Sequence, residues 1–340
     1  MNVVGERTAS NIRGARVFVT GGSGFIGRAV SRLLMNAGAE VLNFDLKPWP
    51  GVDSGPSTVI GDIEDADKLS AACQSFDPSC FIHLAAFASV TATSRDEFSS
   101  IWNGTRMAAK AFCDATRPQR FVNISTQLVI RPGPQPTDLY AYDPYTRYGE
   151  AKAEAEQFLQ TLDRPYAAVH VRPTVIWGPH HPSYASSVMR YVEKGWYLHP
   201  DTARPVVRTY GYVDNCAGQI ISAAFSEAVA DGDVLYGGDE AIDSAQFLDG
   251  MSMALRGRPV RRFPAALLQR AGEAGTLLRR VGLPFPLDRE RVMRMSTDYV
   301  VPLEVTHQAM AFPYVPFDVA MGRTADWYKA GAKPAWSPEP

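Results

Sequence analysis

Arg16-Val-Phe-Val-Thr-Gly-Gly-Ser-Gly-Phe-Ile-Gly27 reads as a strand, a glycine turn and the opening of a helix. Residues 16–19 have strand character and run into Gly21, Gly24 and Gly27, with two residues between each. A helical segment over 25–36 follows, with Ile26, Val30, Leu33 and Leu34 as its apolar positions. Gly21 permits a sharp exit from the strand, and Gly24 has no side chain to hold a pyrophosphate away from the backbone. Gly27 lets the helix lie close to the sheet, while the helix N-terminus offers free N–H groups and the positive end of its dipole. Beyond the loop, Asp45 ends a second apolar run, Val41-Leu-Asn-Phe-Asp45, where a carboxylate accepts hydrogen bonds from an adenosine ribose. The expected ligand is a dinucleotide, held by Gly21, Gly24, Phe25, Ile26, Gly27 and Asp45.

Asp45 repels a 2′-phosphate, so NAD is expected rather than NADP. Position 23, where a basic residue would reach that phosphate, is serine. Arg28 and Lys47 lie close enough in sequence to leave a phosphate-tolerant site open.

Outward from this unit the chain alternates apolar strands and amphipathic helices. Strands are expected over 57–60, 80–86, 120–125 and 166–172, and helices over 64–75, 94–116 and 145–162. That rhythm predicts an α/β fold, a Rossmann doubly wound parallel sheet. After Pro173 prolines and aromatics become frequent and the alternation breaks down. The expected division is a dinucleotide-binding domain over 1–176, with 206–237 returning to it, and a smaller, mixed substrate domain from 177–205 and 238–340. Nine arginines over 258–294 suit a solvated outer helix or lid; an anionic substrate or a membrane surface is the other reading.

Bulk properties narrow the partners. A net charge of −2 gives no basis for nucleic-acid binding. The four cysteines, Cys73, Cys80, Cys113 and Cys216, have no metal-type spacing and read as reduced thiols. His180-His181 lacks a third ligand nearby, so no metal is expected. No apolar run is long enough to span a bilayer, and the first ten residues lack a signal-peptide core, so a cytoplasmic location is expected.

Three further segments carry chemistry. Tyr148-Gly-Glu-Ala-Lys152 places a phenol and an ammonium one helical turn apart on one face. A nearby positive charge lowers a tyrosine pKa, which makes Tyr148 a candidate base. Tyr148 and Lys152 are also expected to bind the cofactor, Lys152 through the nicotinamide ribose hydroxyls. Asn123-Ile-Ser-Thr-Gln127 ends a strand with two short hydroxyls, Ser125 and Thr126, able to bond a substrate oxygen. Arg172-Pro-Thr-Val-Ile-Trp-Gly-Pro179 runs from a strand into a turn, where Pro173 can line a nicotinamide.

Together these motifs resemble the extended short-chain dehydrogenase/reductase family, also called the NAD-dependent epimerase/dehydratase family. Gly61-Asp-Ile63, His83-Leu-Ala-Ala86, Gly104-Thr105 and the segments above stand in the family's order over 17–215. The resemblance implies that Asp62 and Ile63 contact the adenine and Ala85 the cofactor backbone. It implies that Thr126, Tyr148 and Lys152 form the catalytic trio. It also implies a homodimer in which the helices near 94–116 and 145–162 build a four-helix bundle.

Departures from the family pattern bear on the substrate. Gln127-Leu128 replaces the acidic pair of sugar dehydratases, Val175 replaces an asparagine of sugar-nucleotide epimerases, and Ile101 occupies another frequent asparagine position. Val207-Arg-Thr-Tyr-Gly-Tyr-Val-Asp-Asn215 is similar to the segment in which sugar-nucleotide enzymes set an arginine, here Arg208, on a diphosphate. A nucleotide-activated sugar, epimerised or oxidised, is therefore the first expectation. A 3β-hydroxysteroid or sterol-type alcohol is the alternative, from Phe44-Asp45 and Tyr212-Val-Asp-Asn215. A non-catalytic NAD-binding redox sensor is a third, disfavoured because the trio is intact.

Overall fold

The computed structural model describes residue 8 and residues 10–331, apart from 51–54, 89–93, 134–135, 281, 284 and 286. Seven strands form one parallel sheet: β1 (Arg16–Thr20), β2 (Glu40–Asp45), β3 (Ser57–Ile60), β4 (Cys80–His83), β5 (Arg120–Ile124), β6 (Ala167–Pro173) and β11 (Val234–Gly237). Their spatial order is β11-β6-β5-β4-β1-β2-β3. The order reverses beside β1, and such a switch point opens a crevice at the carboxyl ends of the strands.

The two faces of the sheet carry different chemistry. On one face Val17, Val19, Val41, Ile82, Val122, Ile124, Val169 and Val171 pack under α1 (Phe25–Asn36) and a later helix, α6 (Val213–Phe225). On the other, the register sets Phe18 beside Phe81 and Phe81 beside Phe121. The rings stack at centroid distances of 4.8 and 5.1 Å, and Phe44 and Tyr166 extend the row. Over this aromatic row lie α2 (Ala66–Phe76), α3 (Ser99–Cys113) and α4 (Arg147–Thr161), with Ala108, Ala109 and Ala111 of α3 turned inward. Large side chains on the sheet meet small ones on the helix, so the layers approach closely without voids.

The expected strand over 80–86 is shorter than read: β4 ends at His83, and Leu84 to Phe87 leave the sheet as coil. Past Pro173 the chain forms three two-stranded ribbons. β7 (Val175–Trp177) pairs with β10 (Tyr210–Tyr212), β9 (Val207–Arg208) with β12 (Ile242–Asp243), and β8 (Leu198–Asp201) with β13 (Arg261–Pro264). A short helix, α5 (Arg190–Glu193), precedes β8. The remaining helices are α7 (Ser244–Arg256), α8 (Ala265–Arg280), α9 (Arg289–Met295), α10 (Glu304–Ala309) and α11 (Phe317–Lys329). Phe247, Leu248 and Met251 of α7, with Ala320 and Met321 of α11, belong to the same apolar cluster as the valine face of the sheet. One continuous core therefore runs from the sheet into the C-terminal segments. Among the described residues no helix is long and apolar enough to cross a membrane.

Candidate active site

The glycine loop is built by close contacts that exclude side chains. Gly21 has φ +72°, and a Cβ there would stand 2.7 Å from the Ala85 amide nitrogen. A Cβ on Gly27 would overlap the Gly21 carbonyl oxygen, which fixes how tightly α1 seats against the turn. Asn43, which the sequence reading passed over, holds the loop from below. Its Oδ1 accepts from Gly22 N–H at 2.9 Å, and its Nδ2 donates to Ser23 Oγ at 3.0 Å. The available signal was one amide side chain among Val41, Leu42 and Phe44 of β2.

Asp45 is oriented by backbone donors: Ser23 N–H to Oδ2 at 3.0 Å and Lys47 N–H to Oδ1 at 2.9 Å. Asp62 accepts from Glu64 N–H at 3.0 Å. Ile63 is buried beside Gly104, where a Cβ would approach its Cγ2 to 2.9 Å. A cleft of about 660 Å³ runs across this edge of the sheet, and Gly21, Gly24, Phe25, Asp45, Asp62, Ile63 and Ala85 all line it. Ile26, Gly27, Pro173, Tyr148 and Lys152 are not among its lining residues, nor is Thr126. Gly27 supports the wall from behind, and Pro173 closes β6 opposite Gly237. Arg28 and His180 complete the far rim.

The donor set fits a dinucleotide: a side-chain-free cradle at a helix N-terminus, an aimed carboxylate some 20 residues on, and an elongated crevice.

A directed hydrogen-bond chain backs the cleft. Thr105 Oγ1 donates to the Ile101 carbonyl at 2.6 Å, so it accepts from His83 Nε2–H at 3.2 Å. His83 Nδ1 then accepts from Thr20 Oγ1 at 2.8 Å, and Thr20 accepts from Ala85 N–H at 3.3 Å. Burial, then the charge of Lys152, pushes the His83 pKa down to about 3, which keeps the ring neutral and the chain one-way.

Tyr148 and Lys152 lie on α4, and Thr126 follows β5. Thr126 Oγ1 accepts from Leu128 N–H at 3.2 Å and caps a 3₁₀ turn over Gln127–Val129. Thr146 caps α4 in the same manner, accepting from Gly149 N–H at 3.0 Å. A Cβ on Gly149 would overlap the Leu128 carbonyl oxygen. Glycine at that position lets the start of α4 press on the turn that follows Thr126. Tyr148 and Ala86 both pack against the buried cluster of Phe98, Ile101, Ala151 and Ala155, and a ring path of Phe87, Phe98 and Tyr148 leads from the cleft lining to the phenol.

The electrostatics differ from the sequence reading. The Lys152 ammonium does not address the phenol; Nζ donates to the Ile124 carbonyl at 2.6 Å. Burial lowers the Lys152 pKa to about 8, against the opposing pull of Glu156. Burial raises that of Tyr148 to about 12, where the Tyr-to-Lys spacing predicts a lowered value. The phenol has lost water without gaining a facing charge, so in this state it is a proton donor.

One more turn along α4 stands Glu156, which the sequence reading missed. It forms a fully buried, two-point pair with Arg172 of β6, Nε–Oε1 3.0 Å and Nη2–Oε2 2.7 Å. Arg172 Nη1 also donates to the Leu139 carbonyl at 2.8 Å and Tyr236 OH at 3.2 Å, while Tyr142 OH donates to Glu156 at 3.1 Å. Burial alone would raise the Glu156 pKa, but Arg172 outweighs it and holds the carboxyl below its ordinary value. The four-residue repeat Tyr148, Lys152, Glu156 was the available signal.

Ser125 is buried behind the threonine, its N–H bonded to the Val171 carbonyl at 2.7 Å. Arg208 is partly buried, donates to the Arg294 carbonyl and lies over the Tyr299 ring at 5.9 Å. Tyr299 OH reaches the Gln127 and Ile130 carbonyls, each at 2.6 Å, so Arg208 is one side chain away from the threonine turn.

Comparison with known proteins places the chain in a family and matches its fold. The chain is 28% identical over 217 residues to a 4-hydroxy-2-methyl-3-oxo-4-farnesyl-3,4-dihydroquinoline-1-oxide ketoreductase of Stigmatella aurantiaca, covering 61% of this chain and 64% of that protein. It is 33% identical over 177 residues to a 3-beta-hydroxysteroid dehydrogenase of Mycolicibacterium neoaurum, 48% of each chain. The chain thus spans about half to two thirds of the length of these curated relatives. The fold matches a Thermus thermophilus UDP-glucose 4-epimerase solved with NAD, with a TM-score of 0.71 at 23% identity, over 93% of this chain and 99% of that one. A sequence model of the NAD dependent epimerase/dehydratase family matches residues 17–226. By its motifs, its sheet and this match over more than half its length, the chain belongs to the NAD-dependent epimerase/dehydratase family.

Proposed function

We propose that this protein is an NAD-dependent oxidoreductase that interconverts a secondary alcohol and a ketone. The observation that carries this reading is that Lys152, one helical turn from Tyr148 on α4, bonds the Ile124 carbonyl at the end of β5, two residues before Thr126, while Phe87 of the cleft lining leads through Phe98 to the Tyr148 ring. The glycine loop would hold the pyrophosphate, and Asp45 the adenosine ribose hydroxyls, which favours NAD over NADP. Bound NAD supplies the hydride donor and acceptor. Tyr148, protonated in this state, gives a proton to the substrate oxygen during reduction and takes one back as phenolate during oxidation. Thr126 orients that oxygen. Lys152 supplies the positive charge one turn away.

The surroundings of Arg208 favour a substrate with an apolar body. One of its nitrogens is committed to the Arg294 carbonyl, and its charge acts on Tyr145, Tyr184, Tyr197 and Tyr210. Tyr210 in turn stacks on Phe247 at 4.0 Å. Aromatic walls of this kind suit a ring or alkyl chain carrying the reacting carbon. The two relatives named above, a ketoreductase of a farnesylated quinoline and a hydroxysteroid dehydrogenase, point the same way. A second reading keeps the nucleotide sugar, epimerised or oxidised, because the remaining Arg208 nitrogens near the threonine turn suit a diphosphate.

A panel of nucleotide sugars, steroid alcohols and alkyl ketones, with NAD or NADH, separates the two. Absorbance change with an apolar ketone or alcohol and none with any sugar supports the first; a sugar converted without net NADH supports the second. A chain that binds NAD yet turns over no member of the panel would fit a redox sensor.

A homodimer through α3 and α4 belongs to the same proposal. Arg95, Arg106 and Lys110 are exposed around α3, and Glu154 is exposed on α4. Trp102 lies between Arg95 and Arg106, and Arg106 also covers Phe158. Light scattering at micromolar concentration tests it.

A further inference from the structure

The arginine-rich C-terminal hairpin enters the chemistry above only through the Arg294 carbonyl, which holds Arg208. Over 258–294 the chain has nine arginines against three acids, Glu273, Asp288 and Glu290, in a protein of net charge −2. α8 and α9 form this hairpin. Their inner faces meet where Gly272 and Gly275 let Val292 and Leu287 come close.

The outer face of α8 is not paired with anything among the described residues. Leu267, Arg270, Ala274 and Leu277 follow at helical spacing along one side, and all four are exposed. Leu267 is 46% and Leu277 63% accessible, and Leu283 beyond the helix is 54% accessible. A helix packed on a core turns its leucines inward; this one buries Leu268 and leaves Leu267 and Leu277 outside.

Cations surround the stripe. Arg258, Arg261, Arg270 and Arg289 are exposed, and none of them appears in an ion pair among the described residues. The parallel register of β13 on β8 sets Arg261 beside Leu198, so Trp196, 63% accessible, lies at the end of the ribbon nearest Arg258. Lys194 sits over the Trp196 ring at 4.7 Å. Exposed leucines, an interfacial tryptophan and uncompensated arginines together are the composition that lies flat on an anionic bilayer. Nucleic acid would be served by the cations but would leave the leucines in water.

We infer that the outer face of α8, with Trp196 and Arg258, docks this enzyme on the surface of an anionic phospholipid membrane. The docking does not depend on the catalytic reading. The apolar side chains would enter the headgroup boundary while the arginines meet lipid phosphates. The same hairpin reaches the substrate side, since the Arg294 carbonyl holds Arg208. Docking would therefore bring the mouth of the substrate site to the lipid surface.

Sedimentation of the full-length protein with vesicles tests this. Vesicles of phosphatidylcholine alone are compared with an equal mixture of phosphatidylcholine and phosphatidylglycerol. Binding at least about tenfold tighter to the mixture is expected, weakening with salt. Leu267→Asn with Leu277→Asn, and separately Arg258→Gln with Arg261→Gln and Arg270→Gln, should each lose most of that binding with melting temperature unchanged. All five side chains are exposed, so the fold should tolerate both variants. Equal binding to both vesicles, binding to neither, or binding unaffected by either variant would overturn the inference. So would concentration-dependent self-association that the leucine variant removes without any vesicle binding, which would assign the face to a second copy of the chain.

Discussion

Replacing Glu156 by Gln should unfold this protein several degrees earlier than the wild type. The Glu156–Arg172 pair has no exposure on either side chain, so solvent screens neither charge. Glu156→Gln leaves the guanidinium buried without a counter-charge, with one amide oxygen, the Leu139 carbonyl and Tyr236 OH as its neutral acceptors. Breaking one partner of such a pair costs about 3–5 kcal/mol, because the other charge is left uncompensated. At about 2.1 cal/mol/K per residue, a chain of this length unfolds with roughly 0.7 kcal/mol/K of entropy, so the melting temperature should fall by about 6 °C. Arg172→Met should cost a similar amount. The double variant Glu156→Gln with Arg172→Met removes both charges and should recover at least about 2 kcal/mol relative to the sum of the singles.

The pair also has a pH signature. Because the folded Glu156 pKa lies below its unfolded value, its contribution is complete above the unfolded pKa. It disappears as pH falls through the folded one. Wild type should therefore lose more stability in acid than the double variant. Urea titrations of all four proteins at neutral and acidic pH measure this. Single variants each costing under about 1 kcal/mol, or strict additivity, would refute the account.

Other outcomes follow from the site. Tyr148→Phe should lower turnover about 10²–10⁴-fold while NAD affinity, read by fluorescence titration, stays near wild type. Gly149→Ala forces α4 off the Leu128 carbonyl; turnover should fall by about 10² through misplacement of Tyr148, at a stability cost of about 1–3 kcal/mol. Asp45→Ala should weaken NAD and narrow its advantage over NADP, as read by competitive binding. Lys152, held near pH 8 in the fold against 10.5 in the open chain, carries a buried-charge penalty below pH 8. Unfolding free energy should therefore gain a rising contribution between about pH 8 and 10 that Lys152→Met lacks.

The parallel sheet was legible because its strands are short apolar runs spaced by helices, and the loop because three glycines at fixed spacing have few other uses. The proposal of Thr126, Tyr148 and Lys152 as a trio rests on helical spacing and family likeness. What escaped was the direction of side chains within buried layers. Sequence spacing places the Lys152 ammonium near the phenol, yet only packing shows that the Ile124 carbonyl takes it. Glu156, Asn43 and His83 are interior polar residues whose partners lie on other strands or helices, at separations no local pattern encodes. The C-terminal ribbons were the least readable. Their strands are two to four residues long, too short for alternation to register.

The Lys152 bond to the end of β5 changes how loss-of-function variants at this position should be interpreted. The same ammonium that carries charge to the site fastens a helix to the last carbonyl of a central strand, as a bolt joins two beams. Truncating it removes a chemical group and a joint at once. A dead Lys152→Ala enzyme would report on architecture as much as on proton movement. Only a variant that keeps the fastening while giving up the readily lost proton separates them. Lys152→Arg, whose guanidinium can still reach a carbonyl but stays charged at any working pH, is that variant.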